Sequence, residues 1–419
     1  VNHNTTHTQI AIIGGGISGI CTAYFLALVG YEVAVIERHS NVAEEATLGN
    51  SGLMAPASIS PLALPGLIST GITGRFSATP AILTQSGLNP SRWGWQRKSR
   101  SQTKHSYIQN KEHLTRLNNY GKSLIHAVQK QHVLEHENVA GVLRVFRKPA
   151  DLERAASTET ILQEHELKFS TIATDQIKAI EPTYVEGTAL AGARFYPQDE
   201  TGNCVLFVKQ LKNIIQGMGV QFHFDQNVTA IERHSNNTVT IHCGDHTINA
   251  EAVVVSAGIN SAALLKQLDI TLPLYAAESY TALATLKTTD YSPSVAFIDE
   301  TNRVSITRLG NRLRLSGLIG FVPNTQTPHT KAVHSLHKIA NDFFPHAVNY
   351  NTASIWSRTF GLTPNGLPLL GTTSYGNIFV NTGHGVNGWA SAVATAKLLT
   401  DHIMDSPAGI DTTGLFSHM

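Results

Sequence analysis

The stretch IAIIGGGISGICTAYFLALVGYEVAVIER occupies residues 10–38. Ile10 to Ile13 is a short apolar run suited to a buried parallel strand. Gly14, Gly16 and Gly19 follow in GxGxxG spacing, with Ile17 and Ser18 opening an apolar helical pattern that runs to about Val29. Gly30 closes the helix, and Glu32 to Ile36 reads as a second strand ending in Glu37. The three glycines differ in what they allow. Gly14 permits the tight turn, Gly16 lets backbone amides approach a pyrophosphate, and Gly19 lets the helix pack on the strand. The helix N-terminus then faces the phosphates with its partial positive charge. The Glu37 carboxylate can accept both hydroxyls of a ribose and repels a 2′-phosphate, so NADP is disfavoured despite the adjacent Arg38. Strand, helix and terminal acid agree on a dinucleotide site, without choosing between FAD and NAD.

The whole chain bounds the rest. Its 419 residues, 42% of them hydrophobic, allow two or more intertwined domains with cores that need no staples. A formal net charge of +1 gives no global pull toward nucleic acid. Cys21, Cys204 and Cys243 form neither a CxxC pair nor a disulfide framework, which suits a reducing, cytoplasmic compartment. The opening VNHNTTHTQ lacks the pattern of a secretory signal, and no apolar run reaches the roughly 18 residues that span a bilayer. The expectation is a soluble protein, or one peripheral on the inner face of a membrane. For the latter, RWGWQRKSRSQTK (residues 92–104) interleaves basic residues with Trp93 and Trp95 and can dock on an anionic surface. The plainer reading is a solvated loop with two buried tryptophans.

Further along, residues 46–65 are rich in small residues and proline and read as a loop close to a ligand. Residues 106–137 and 151–168 look helical, 139–147 resembles a strand, and FYPQDETGNCVLF (195–207) reads as a polar loop entering a helix near Val205. Alternation on either side of Gly244-Asp245 predicts a β-hairpin whose second arm ends in Val253–Val255. Ser256, Ala257 and Gly258 follow, small enough for backbone to pass close to a nucleotide. Residues 271–320 carry the alternating runs of an antiparallel sheet, and NIFVNTG leads into HGVNGW, a second glycine-rich loop opening a long helix. HVLEH (132–136) matches a zinc-peptidase spacing without a third ligand, and His242, Cys243, Asp245 and His246 straddle a hairpin turn, so no metal site is expected.

The glycine fingerprint, the SAG strand end and the GHGxxG helix lie far apart yet all suit one nucleotide. Together with GNSGLMAP, GVLRVFR, PQDETGNCVLF, FIDETNRVSITRLGNRLRLSG, LTPNGLPLLG and VNTGHGVNGW, they resemble the D-amino acid oxidase-like FAD-dependent superfamily and, within it, bacterial D-amino acid dehydrogenases. The resemblance spans essentially the whole chain. It implies an α/β fold: a Rossmann-type FAD-binding domain from residues 1–65, 200–262 and 350–419, and an α+β substrate domain from 66–199 and 263–349, built on an antiparallel sheet. It also implies oxidative deamination of a D-amino acid, with hydride passing to FAD and on to an acceptor other than oxygen, such as a quinone or the respiratory chain. The alternatives are a sarcosine- or glycine-oxidase-like activity on an amine or N-substituted glycine, and a flavin-bound protein that has lost the activity. Asn50, Ser51 and Gly52 of the GNSG loop are expected at the pyrophosphate and ring, with Val228, Ala257 and Gly258 along the nucleotide. Gly383, Gly385, Val386, Asn387 and Gly388 would lie at the flavin. Relatives that tether FAD use a C-terminal cysteine, and this chain has none after Cys243, so the FAD is expected to be noncovalent.

One family feature is missing. The strand before the TPNG turn commonly runs Trp-x-Gly-Leu-Arg-Pro, and its arginine pairs with the substrate carboxylate. Here WSRTFG (356–361) puts Phe360 in the arginine's place. Three readings follow. Arg358, on the same face and displaced by about 6–7 Å, reaches the carboxylate; or the substrate is an amine or modified amino acid, with Phe360 as an apolar wall; or Arg358 is structural and the activity vestigial. Tyr275, Tyr280, Arg308 and His384 are further candidates for the pocket wall, each with ordinary packing as the alternative.

Overall fold

The computed structural model describes residues 5–59, 81–84, 94–95, 97–99, 101, 103–321, 330–417 and 419. Thr5–Ile13 is the central strand of an eight-stranded sheet, parallel to Val33–Ile36 on one side and to His246–Val255 on the other. Gln221–His223 and Ile378–Thr382 extend the parallel set, and the antiparallel Leu369–Thr372 closes one edge. Alternation sorts the two faces. Ile10 and Ile12 pack with Tyr24, Phe207 and Trp389 of the covering helices, whereas Ala11 and Ile13 face Ile231, Val239 and Leu264 beneath the hairpin. Ile13 pairs in register with both Ile36 and Val255, so the carboxyl ends of the parallel strands form one rim, where a ligand crevice belongs.

The helix Ile17–Leu28 follows the glycine turn as expected, and the hairpin turns at Gly244-Asp245 between Val239–Cys243 and His246–Val255. The closing helix, Gly388–Ile403, lies against Lys104–His132, and the two cross so closely that a Cβ at Gly121 would stand 1.8 Å from the Ala390 carbonyl oxygen.

The second sheet has ten strands and is mostly antiparallel; Ala296–Asp299 beside Val139–Phe146, and Ile82–Thr84 beside Arg312–Phe321, are its parallel pairs. One face buries Phe297, Ile306 and Leu315 against Leu336, Ile339 and Phe343 of the helix Thr330–Phe343. The other turns Ser279, Ser305 and Ser316 toward a cavity.

Several segments differ from expectation. Ser354–Leu362 pairs with Tyr275–Thr285 as an edge strand of the second sheet, and Leu53–Met54 pairs with Gly192–Thr201 there too, although the sequence reading places both ranges in the nucleotide domain. Conversely, Lys104–His132 packs on the nucleotide side. Residues 195–201 lie in the strand Gly192–Thr201 rather than in a loop, because their buried polar groups find partners far away in the chain: buried Asp199 accepts the amides of Ala57 and Ser58 at 3.0 and 2.8 Å. The second predicted helix divides into Pro149–Ala156 and Glu159–Glu164. In the basic segment, Trp95 is buried with its indole N–H on the Leu362 carbonyl oxygen at 3.1 Å, while Arg97 and Lys98 are exposed. Trp95 therefore serves packing rather than a membrane surface; Arg92, Trp93 and Arg100 lie outside the described residues. No helix among the described residues is long and apolar enough to cross a membrane.

Candidate active site

A cavity of about 500 Å³ runs along the rim of the first sheet. At one end stands Glu37, whose carboxylate accepts the amides of Gly15 at 2.6 Å and His39 at 2.9 Å; Arg38 beside it pairs with Glu45 at 2.5 Å. The middle is the glycine turn. Gly14 has φ +112°, and a Cβ there would stand 2.5 Å from the Ser256 carbonyl oxygen. At Gly16 the nearest atom to an added Cβ is Thr47 Oγ1 at 3.5 Å, so the backbone is open where phosphates would approach. No side chain of Gly16 caps the helix; instead Thr47 Oγ1 accepts the Ile17 amide at 3.0 Å. Gly16, Ile17, Ser18, Val228, Ala257 and Gly258 all line this cavity.

The far end is the second glycine-rich loop, where Gly383 and Gly385 have φ of +76° and +60°. Gly388 begins the closing helix, and the Asn50 amide nitrogen stands 3.8 Å from where its Cβ would lie. The His384 imidazole bridges Ser18 Oγ at 3.2 Å and Thr395 Oγ1 at 2.9 Å, so it ties the first turn of Ile17–Leu28 to the middle of the closing helix. Burial pushes its pKa down to about 3, which keeps the ring neutral and removes it from acid–base work near pH 7. The backbone of Asn387 lies in the turn Gly385–Asn387; its side chain is outside the described residues.

A second cavity, of about 140 Å³, lies between this loop and the second sheet. The two share Ala46, Asn50, Phe360 and Gly385 as walls. Ser51 and Val386 line the second alone, and Gly52, at φ +81°, turns the chain where a Cβ would stand 2.3 Å from the Gly202 carbonyl oxygen.

Phe360 thus stands at the junction, 7% exposed and packed with Trp95 and Ile319. Arg358 shares its face but is engaged by backbone: Nε donates to the Glu44 carbonyl at 3.0 Å and Nη1 to that of Ser357 at 2.8 Å. Its stem lies against Gly49. Tyr280 does not reach the site. Its side chain is fully buried on the helix-covered face of the second sheet, with its hydroxyl donating to Glu278 at 3.0 Å. A register shift between Ser279 and Tyr280 separates them, and Ser279 takes the cavity position. Arg308 is held by Gly310 and Ser292, and Tyr275 packs on Trp95 and Phe321.

Sequence reasoning missed Thr47, Arg144, Glu300, Arg303 and Arg314. The Arg314 guanidinium donates to the Leu48 carbonyl at 2.8 Å and so pins the same segment that Arg358 holds. Among the described residues, no group of acidic, histidine and cysteine side chains is placed to hold a metal. No cysteine among them lines either cavity.

A dinucleotide cleft on a parallel sheet, opening onto a small cavity beneath a second sheet, defines an oxidoreductase that brings a small molecule to a bound redox cofactor. The chain belongs to the FAD dependent oxidoreductase family, whose family model matches residues 9–402. It is 30% identical over 397 residues to a D-amino acid dehydrogenase of Neisseria meningitidis serogroup C, covering 94% of this chain and 95% of the relative. In fold it is similar to glycine oxidase from Geobacillus kaustophilus, with a TM-score of 0.74, 19% identity and 98% of each chain covered. It is likewise similar to iminodiacetate oxidase from Chelativorans sp. BNC1, with a TM-score of 0.73, 16% identity and coverage of 98% and 99%. The residues present fit FAD: Glu37 would hold a ribose at one end of the cleft, and the open backbone at Gly16 leaves room for its phosphates.

Proposed function

We propose that the protein carries out oxidative deamination of a D-amino acid, with FAD held noncovalently and electrons passed to an acceptor other than oxygen. The observation that supports this reading is the meeting of the two cavities at Asn50, Phe360 and Gly385, so that a small molecule in the second would lie against one end of the first. The full-length similarity to a D-amino acid dehydrogenase supports the substrate class.

Bound FAD supplies the two-electron acceptor for the hydride that leaves the α-carbon. That step asks little of the protein: the neutral amine's lone pair forms C=N as the α-hydrogen departs with its electron pair, and the nitrogen sheds a proton to water. Hydrolysis of the imine then gives the 2-oxo acid and ammonia. This chain's residues orient and stabilise. The backbone amides from Gly383 to Gly388, with the dipole of the closing helix, favour negative charge at that end of the cleft. Asn50 stands over the same helix start. His384 fixes the first turn of Ile17–Leu28 relative to the closing helix instead of acting as a base.

Arg358 is read as a tether. It holds the segment from Glu44 to Gly49, which separates the cofactor from the second cavity. Arg358→Met is expected to lower FAD affinity by about tenfold, the worth of one charge-assisted hydrogen bond. Titration of apoprotein with FAD measures this. Unchanged FAD affinity, together with a raised KM for a carboxylate substrate, would instead mark Arg358 as the substrate anchor.

Phe360 favours a second reading, an oxidase acting on an N-substituted glycine, since it lines the junction with an apolar ring. Anaerobic mixing of the holoprotein with D-amino acids and with sarcosine separates the two: flavin bleaching by D-amino acids, followed by dye reduction without peroxide in air, is the expected result. Bleaching by sarcosine alone, with peroxide formed, would replace it. No bleaching by any of them would leave the protein without this activity.

A further inference from the structure

The second cavity carries more positive than negative charge. Among the described residues, Arg144, Arg303 and Arg358 line it against a single carboxylate, Glu300. Arg358 is hydrogen-bonded to two carbonyls, as above. Arg144, on the strand Val139–Phe146, has its Nε 3.4 Å from Glu300 Oε2, too poorly aligned to count as a hydrogen bond. The Arg303 guanidinium makes no ion pair and no hydrogen bond with any described residue. Burial is the main influence on it and lowers its pKa, with repulsion from Arg154 and Arg144 acting in the same direction and Glu300 opposing.

The backbone makes this placement deliberate. Arg303 ends the turn between Ala296–Asp299 and Val304–Leu309 and sits at φ +54°, a left-handed conformation that a long side chain adopts at a cost. The turn is rigid. Asp299 accepts the Asn302 amide at 3.1 Å and its side-chain nitrogen at 2.8 Å, while the Arg303 carbonyl accepts the Leu318 amide at 3.3 Å. A Cβ at Gly317 would stand 2.1 Å from that carbonyl oxygen, so the strand Arg312–Phe321 and the turn are pressed together with glycine at the contact. A pinned turn that holds an unpartnered guanidinium against a cavity is an anion receptor awaiting its anion. A carboxylate fits: the planar fork offers two parallel, charge-assisted hydrogen bonds.

We propose that Arg303, seconded by Arg144, anchors the substrate's carboxylate from the wall of the second cavity, which Phe360 also lines. The substrate is accordingly an amino acid, and a simple amine of the same shape is excluded. Glu300 pairs with Arg144 at 3.4 Å, and Arg303 has no ion-pair partner among the described residues. This rests on the reading of the site as amine-oxidising, but its test does not depend on turnover.

Holoprotein titrated with pyruvate, a 2-oxo acid of the product class, reports binding through the visible flavin spectrum. Arg303→Met is expected to raise the Kd for pyruvate at least tenfold with flavin content unchanged, and Arg144→Met to raise it by a smaller factor. Arg303→Lys keeps the charge but not the fork and should fall between wild type and Arg303→Met. In the same holoprotein, D-alanine should bleach the flavin anaerobically and isopropylamine should not. Pyruvate binding within twofold of wild type in Arg303→Met, or no pyruvate binding by the wild type, overturns the proposal. If Arg303→Met fails to retain flavin, Arg303→Lys decides: unchanged pyruvate binding in it overturns the anchor. Pyruvate binding that depends on Arg303, with no bleaching by any D-amino acid, would keep the anchor and remove the deaminase reading.

Discussion

Gly19→Ala protein is expected to purify colourless, with FAD affinity lowered a hundredfold or more. A Cβ at Gly19 would stand 1.9 Å from the Gly14 carbonyl oxygen and 3.3 Å from Ile12 Cγ2. Both neighbours are parts of the central strand and its turn, and neither can yield: Ile12 is fully buried between sheet and helix, and Gly14 is itself pressed against Ser256. The helix Ile17–Leu28 must therefore lift from the sheet. Its first-turn amides lose their aim at the phosphates, and the His384 bridge between Ser18 and Thr395 is stretched. Displacement of about 1 Å at such a site is enough for a loss of this size. Flavin absorbance per mole of protein, and fluorescence titration of apoprotein with FAD, measure it. Gly217→Ala is the matched control, since it ends a helix with nothing within 4 Å of an added Cβ. Equal flavin retention by the two variants would refute the packing argument.

Gly19 also marks how far the chain can be read without coordinates. Residues 10–38 declare strand, turn, helix and strand because four local signals coincide there and none needs a distant partner. The hairpin at Gly244-Asp245 and the loop before Gly388 are legible for the same reason. What escapes depends on pairing across long separations. Ser354–Leu362 alternates as any strand would, and nothing within it says that its partner is Tyr275–Thr285 in the second sheet. Tyr280 is expected at the pocket from its place in that sheet, but the irregularity beside Ser279 decides which side chain faces the cavity. Residues 195–201 read as part of a polar loop because the donors that satisfy buried Asp199, at Ala57 and Ser58, lie more than a hundred residues earlier. Arg303 is hidden in a turn, DETNRV, where an arginine normally points to water. Only its φ and the absence of a partner among the described residues distinguish it. The glycine turn of the first cavity is thus local and readable, while the second cavity is assembled from seven separate stretches of the chain and is not.

Lys111→Met is expected to stabilise the protein by about 3 kcal/mol at pH 6 and by much less at pH 10. Lys111 lies on the helix Lys104–His132, is 5% exposed, and donates from Nζ to Thr158 Oγ1 at 2.7 Å. Burial first, then repulsion from Arg144 and Arg194, lowers its pKa from 10.5 to about 7, with Glu300 and Asp199 opposing. Between those two values the unfolded chain holds a proton that the folded protein has released, so stability rises with pH through that window. Below pH 7 both states are protonated, and the folded protein bears the full cost of a buried ammonium beside two guanidinium groups. Methionine has nearly the same length and no charge to desolvate. It forgoes the hydrogen bond to Thr158, worth about 1 kcal/mol, and that loss remains when the charge penalty has gone. The gain should therefore shrink from pH 7 upward and approach zero, or reverse, near pH 10. Urea unfolding of the holoprotein at pH 6 and pH 10 reads the difference directly. A gain equal at the two pH values would mean that packing at position 111, not the proton, sets the effect. A loss at pH 6 would mean that Glu300 and Asp199 already neutralise the ammonium, and that the positive field reaching Arg144 is weaker than its neighbours imply.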